Sequence, residues 1–159
     1  MIDLIFAIKF VHVLAAAAML GTWLCLAAFM LLAHRSGNTS VVALTSRFVV
    51  RIELMVVAAA VALQLVSGLP LAAAIGVSPF GEFWIVAASV LYLIVVAAWI
   101  AAVRLEIRIR DLTREAVLGS APLPAVYWRW FRIWSALAGP ILAGMVAIFA
   151  LMIWQPRLD

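Results

Sequence analysis

The sequence predicts an all-α fold: an integral membrane four-helix bundle with both termini outside and the third helix extended into the cytoplasm. Three observations carry that reading. Hydrophobic residues make up 69% of the chain and charged residues 11%, against roughly 45–50% and 25% in soluble domains. Such a chain has too little polar surface to cover a globule in water. Segments at approximately 4–33, 52–75, 82–103 and 133–154 are apolar enough to supply the roughly 20 residues that a bilayer-crossing helix needs. The basic residues gather at two of the connections between those segments.

The first span opens at Leu4 and stays apolar to Leu32, longer than the roughly 7–15 residues of a secretory h-region, so it reads as a permanent span. Period-two alternation is absent from all the spans, and lipid leaves no backbone group a water partner, so each is a helix rather than a barrel strand. The first connection, His34 to Arg51, is polar and holds the breaker cluster Ser36-Gly37-Asn38-Thr39-Ser40. The second, Gly76 to Gly81, is a tight Gly/Ser/Pro turn. The third runs from Arg104 to Arg132. Its first part, to Ala116, continues the third helix into water with Glu106 and Arg110 paired at i,i+4, and Gly119-Ser120-Ala121-Pro122 then ends it. The whole of 1–159 is a single four-span domain.

Arginine placement sets the orientation. Arg35, Arg47, Arg51, Arg104, Arg108, Arg110, Arg114, Arg129 and Arg132 fall at the first and third connections, and only Lys9 and Arg157 belong to the other side. Positive loops stay in the cytoplasm. The net charge of +4 is therefore a topology signal rather than a nucleic-acid footprint, with attraction to anionic head groups as a secondary effect. The cluster Tyr127-Trp128-Trp130-Phe131-Trp134 opens the fourth span, where amphipathic rings favour the head-group level. Cys25, the only cysteine, excludes an intrachain disulfide and reads as a small buried hydrophobe.

Ionisable groups inside a span are costly unless sheltered. Lys9 and His12 lie three residues apart on one face of the first helix. Lys9 is close enough to the end to snorkel and serve as an interface anchor. His12 lies about 12 Å below the surface at 1.5 Å per residue, beyond the reach of an imidazole. It is either a neutral ring hydrogen-bonded to a neighbouring helix, or a haem or metal ligand or proton-handling group. Counting to the same depth on the other helices reaches Gln64 and Ser67, Ser89 to Tyr92, and Met145. Such a layer can satisfy itself as a packing device or line one pocket. His34, about 33 Å further along the first helix, cannot share an iron with His12 within one chain and is expected to sit idle in the interface. An iron at His12 takes its second ligand from Met145, from water or from His12 of another copy. Glu53 is expected to pair locally with Arg51. Small residues Ala15 to Ala18, Gly21, Gly139, Ala143, Gly144 and Ala147 allow close helix approach, and Pro140 is expected to kink the fourth helix. No nucleophile–base pair, phosphate-binding glycine loop or nucleotide fingerprint is present.

Two resemblances add to this. Ile8-Lys9-Phe10-Val11-His12-Val13-Leu14, followed by small residues and Gly21, resembles the first helix of the superfamily of the copper-resistance protein D membrane domain and the J-type protoporphyrinogen oxidase. Leu91-Tyr92 through Trp99, Val103-Arg104, the Tyr127-to-Trp134 block, and Leu151-Met152 with Pro156 look like an uncharacterised bacterial family of predicted four-span membrane proteins. The superfamily resemblance implies haem b bound at His12. The oxidase also uses a lysine in its third helix; no lysine lies between Glu82 and Val103, which counts against that enzymatic activity. Nor do Met19, Met30, Met55, Met145 and Met152 form a spaced copper motif.

The expected function is thus a haem b-binding, redox-type protein of the bacterial inner membrane, with His12 as axial ligand and Met145, Gln64, Tyr92 and Lys9 around the cofactor. The alternatives are a non-catalytic accessory or assembly subunit of a larger membrane complex and, third, a metal or small-solute transporter. The lipid bilayer is the implied partner, together with a second copy or a membrane complex.

Overall fold

A computed structural model describes residues 2–78 and 81–156, with the side chains of Ile2 and Asp3 left aside. Arg157 and the Pro79-Phe80 part of the expected turn lie outside the described residues. Five α-helices follow in order: α1 (Ile2–Arg35), α2 (Thr39–Ile52), α3 (Ala58–Ala74), α4 (Phe83–Leu118) and α5 (Ala125–Trp154). A π-turn, Glu53–Val57, joins α2 to α3. The result is four rods, each long and apolar enough to cross a membrane. The 36 residues of α4 amount to about 54 Å at 1.5 Å per residue, well beyond the roughly 30 Å hydrocarbon core.

The first connection is shorter than its polar composition implied. Ser36 Oγ donates to the Ala33 carbonyl at 2.6 Å, and Gly37 takes the left-handed backbone that reverses the chain. Asn38 then caps α2, its Oδ1 accepting from the amides of Ser40 at 2.9 Å and Val41 at 3.2 Å. From Thr39 onward the chain is helical, because Val42, Ser46, Val49 and Val50 recur at helical spacing and are buried. The polarity of this segment belongs to one face of a helix, not to a loop.

Packing follows a seven-residue repeat. On α5 the inward positions are Tyr127, Phe131, Trp134, Ala138, Ile141, Met145 and Ile148, alternating steps of four and three. On α1 they include Met19, Trp23, Leu26, Met30 and Ala33. On α4, Ala88, Val95, Ala102, Ile109 and Ala116 form one row of the seam, and Trp99, Glu106 and Thr113 form the other. This is the pattern of left-handed, knobs-into-holes packing. The outward positions are also apolar. Phe10, Val66 and Ile153 are 67%, 69% and 73% exposed, as a lipid-facing surface requires, and Cys25 is exposed on the outside of α1 rather than buried.

The π-turn makes sense within this repeat. An uninterrupted heptad after Val49 and Glu53 would bury Val56 and Leu63, yet these are 42% and 46% exposed, while Val57 is fully buried. The widened turn advances the inward face by one residue. The same device leaves Glu53 and Val57 both facing the core.

Contacts are uneven along the bundle. At the arginine-rich end, where α1 meets α2 and α4 meets α5, α2 packs between α1 and α4. Toward the opposite end α1 pairs with α3, and α4 with α5. The two pairs are linked there by Tyr92 and by the small cluster Ala72, Trp84 and Ile85. The α4–α5 approach depends on Gly144, where a Cβ would collide with Val95 Cγ2. Gly144→Ala should therefore cost about 1–3 kcal/mol through overpacking, read as reduced thermal stability in detergent, and Val95→Ala in the same chain should restore most of it.

Candidate functional site

In an apolar medium the polar side chains must find partners within the protein, and here they lie along the inward seam. Tyr92, Trp99, Glu106 and Thr113 stand at seven-residue intervals on α4, and each bridges to another helix. Tyr92 donates to the Val61 carbonyl at 2.7 Å. Trp99 donates to Glu53 Oε2 at 2.7 Å, Glu106 accepts from Trp134 at 2.8 Å, and Thr113 meets Ser46 at 3.1 Å. Two groups of polar side chains could do chemistry, one between α1 and α3 and one on this ladder.

The first is built on His12. Its Nδ1 lies 2.8 Å from Ser67 Oγ, and Ser67 Oγ lies 2.5 Å from the Leu63 carbonyl. A hydroxyl has one proton, and a carbonyl can only accept. Ser67 therefore donates to Leu63 and accepts from His12, which places the imidazole proton on Nδ1. Nε2 is left with its lone pair. Gln64 Nε2 donates to the His12 carbonyl at 2.6 Å, tying α1 to α3 at this level. Gly68 sits against the ring, a Cβ there falling 3.4 Å from Cε1. Beside these residues an apolar groove of about 370 Å³ opens between α1 and α3, lined by Ala7, Ile8, Val11, Leu63, Val66, Ser67 and Pro70. Pro70 lies within α3 and has no N–H, so the Val66 carbonyl gives up its usual intrahelical donor at the groove wall.

Of the other residues at this depth, Tyr92 bonds to α3 one turn from Gln64. Met145 is packed in the main core with Val95 and Ile141, on α5, which barely touches α1. Ser89 and Lys9 are exposed, and neither makes a side-chain hydrogen bond among the described residues. Depth counting thus placed His12, Gln64 and Ser67 in one connected group, with Tyr92 adjoining it.

The second group corrects two sequence expectations. Glu53 does not pair with Arg51; it is 1% exposed and accepts the Trp99 indole proton. Glu106 does not pair with Arg110. It is 2% exposed and accepts from Trp134 Nε1, while Arg110 bonds to Asp111 at 2.8 Å. Both glutamates lie on the inward row, so arginines nearby in sequence point elsewhere. Glu106 Oε2 is the one buried side-chain nitrogen or oxygen among the described residues that has no hydrogen-bond partner. The seven-residue interval from Tyr92 to Thr113 is the signal that could have exposed this group, had α4 been read at a period of 3.5.

His34 is likewise engaged rather than idle. Its Nδ1 meets Tyr127 Oη at 3.0 Å, and its ring stacks on Phe131 with centroids 3.7 Å apart and planes 8° from parallel. This clasp joins α1 to α5 at the arginine-rich end. No group of three or more His, Cys, Asp or Glu side chains that could hold a metal ion occurs among the described residues.

Four lipid-length helices with their polar groups turned inward define a polytopic membrane protein. The chain belongs to the family described as predicted integral membrane protein (DUF2269), whose model matches residues 6–156. No curated protein and no solved structure matches it.

Removing the indole donor from a buried carboxyl leaves that group without any partner. Trp134→Phe should therefore lower stability by about 1–3 kcal/mol, measured by unfolding in detergent. Trp154→Phe, at a residue 80% exposed, should change it by less than about 0.5 kcal/mol.

Proposed function

We propose that this protein is a small redox-type haem protein of the bacterial inner membrane, with His12 as the iron ligand. One observation carries the reading: Ser67 engages His12 Nδ1, which leaves the Nε2 lone pair free, and Ser67 itself lines an apolar groove between α1 and α3. Histidines that bind metals nearly always donate their second ring nitrogen to a fixed acceptor, and Ser67 is that acceptor here. The likeness of Ile8 to Leu14 to the first helix of a superfamily with haem-binding members points the same way. In the same reading the arginine-rich end faces the cytoplasm, which puts the His12 groove in the outer half of the bilayer.

The donor set suits a macrocycle better than a bare ion. One imidazole and apolar walls give no closed cage for zinc or copper, whereas haem needs an axial ligand and an apolar face. Bound haem would supply one-electron chemistry. The residues of the chain hold and orient. Ser67 fixes the ring plane, Gln64 anchors the His12 backbone, and Gly68 leaves room for the imidazole edge. Met145 is enclosed in the core on α5, away from α1, so His12 rather than Met145 would hold the iron.

Detergent-purified protein from haem-replete cells should show a Soret band. His12→Ala should abolish that band and His34→Ala should retain it, while Ser67→Ala should weaken haem retention about 10–100-fold. A wild-type sample with no Soret band, co-purifying instead with a fixed membrane partner, would replace this reading with that of an accessory subunit.

A further inference from the structure

We propose that Glu53 and Glu106 together form a buried proton-binding site, in which two carboxyl groups hold one exchangeable proton. The site is independent of the haem reading. It lies on the arginine-rich side of Tyr92 along the α4 ladder and shares no residue with the His12 group.

Both side chains are essentially enclosed, at 1% and 2% exposure, and each accepts a single indole N–H. An indole is a neutral donor; it orients a carboxyl but does not cancel its charge. Trp99, from which Glu53 accepts, stands one seven-residue step before Glu106 on the inward row of α4, so both carboxyls are enclosed in the same seam. Two like charges enclosed in one seam without a cation are too costly to persist, and taking up one proton relieves that cost.

The charged and titratable groups on the surrounding helices do not supply the missing cation. On α2, Arg47 and Arg51 are exposed. On α4, Arg104 and Arg114 are exposed and Arg110 is bound to Asp111, with Glu115 exposed beyond it. Arg108 and Arg129 lie over the Trp130 ring, 4.8 and 5.6 Å from its centroid, and Arg132 is exposed. On α1, Arg35 is exposed and His34 is held by Tyr127. None bonds to either glutamate among the described residues.

The unpartnered Oε2 of Glu106 marks where the proton goes. Trp134 satisfies Oε1, so uptake forms an O–H bond on Oε2 and breaks no bond within the protein. Glu53 opens the π-turn, a feature frequent at functional sites, so its carboxyl sits at the point where the helix departs from α geometry.

Infrared spectroscopy of the wild-type protein in lipid nanodiscs, at neutral pH in H₂O and D₂O, tests this. The expected result is a protonated-carboxyl C=O band that moves on deuteration, is lost in Glu106→Gln and shifts in Trp134→Phe. Asp111→Asn should leave it unchanged. If Glu106→Gln does not fold, the Trp134→Phe shift decides alone. Absence of the band at neutral pH, or its survival in both Glu53→Gln and Glu106→Gln, overturns the proposal. So does a band that appears only once sodium and potassium are removed, because the site would then hold a metal cation. Recording the spectra also on His12→Ala keeps the result separate from haem binding.

Discussion

The fold depends on one constraint: in hydrocarbon, a polar group has no solvent to fall back on and must be met by another part of the chain. The protein answers it with geometry. A seven-residue repeat sets a narrow inward seam, and the side chains that hydrogen-bond from one helix to another lie along it. Ser46 with Thr113, Glu53 with Trp99, Trp134 with Glu106 and His12 with Ser67 are each a bond between helices. Apolar packing against lipid has little power to choose one helix arrangement over another. The paired polar groups do choose, because a shift of register would separate every pair at once.

The π-turn belongs to the same logic. Four rods with one repeat would pack uniformly from end to end. One extra residue in the second rod turns Val57 inward in place of Val56 and places Glu53 at the boundary between two registers. Below it, α2 is wedged between α1 and α4; above it, α3 keeps company mainly with α1. The glutamate group thus begins at this break, enclosed by several helices, and the His12 group lies beyond it, set between two.

Much of this was readable in the residues, and the failures share a cause. Apolar length identified the rods, because it reports directly on the solvent. Depth counting joined His12 to Gln64 and Ser67, because rise per residue is fixed whatever the packing. What depth cannot supply is direction around the helix. Glu106 was given to Arg110 and Glu53 to Arg51 on sequence proximity, whereas the seam turns both carboxyls toward tryptophans on other helices. Only the supercoil period, which emerges when helices pack, distinguishes the two choices. The first connection was misread for a related reason. Ser, Asn and Thr there include a helix cap, and the polar residues that follow occupy the outer face of α2. His34 is a plainer case: nothing nearby in sequence announced Tyr127 and Phe131 across the bundle.

The separation of the rods into two pairs away from the arginines has a kinetic consequence. The groove beside His12 is walled by Ile8, Val11, Leu63 and Val66 and opens sideways between α1 and α3. Were the proposed site at His12 filled by way of this groove, its ligand would arrive through the membrane plane. Supply would then follow partitioning into the bilayer and two-dimensional diffusion, which sets sparingly soluble, lipid-dissolved molecules ahead of abundant aqueous ones.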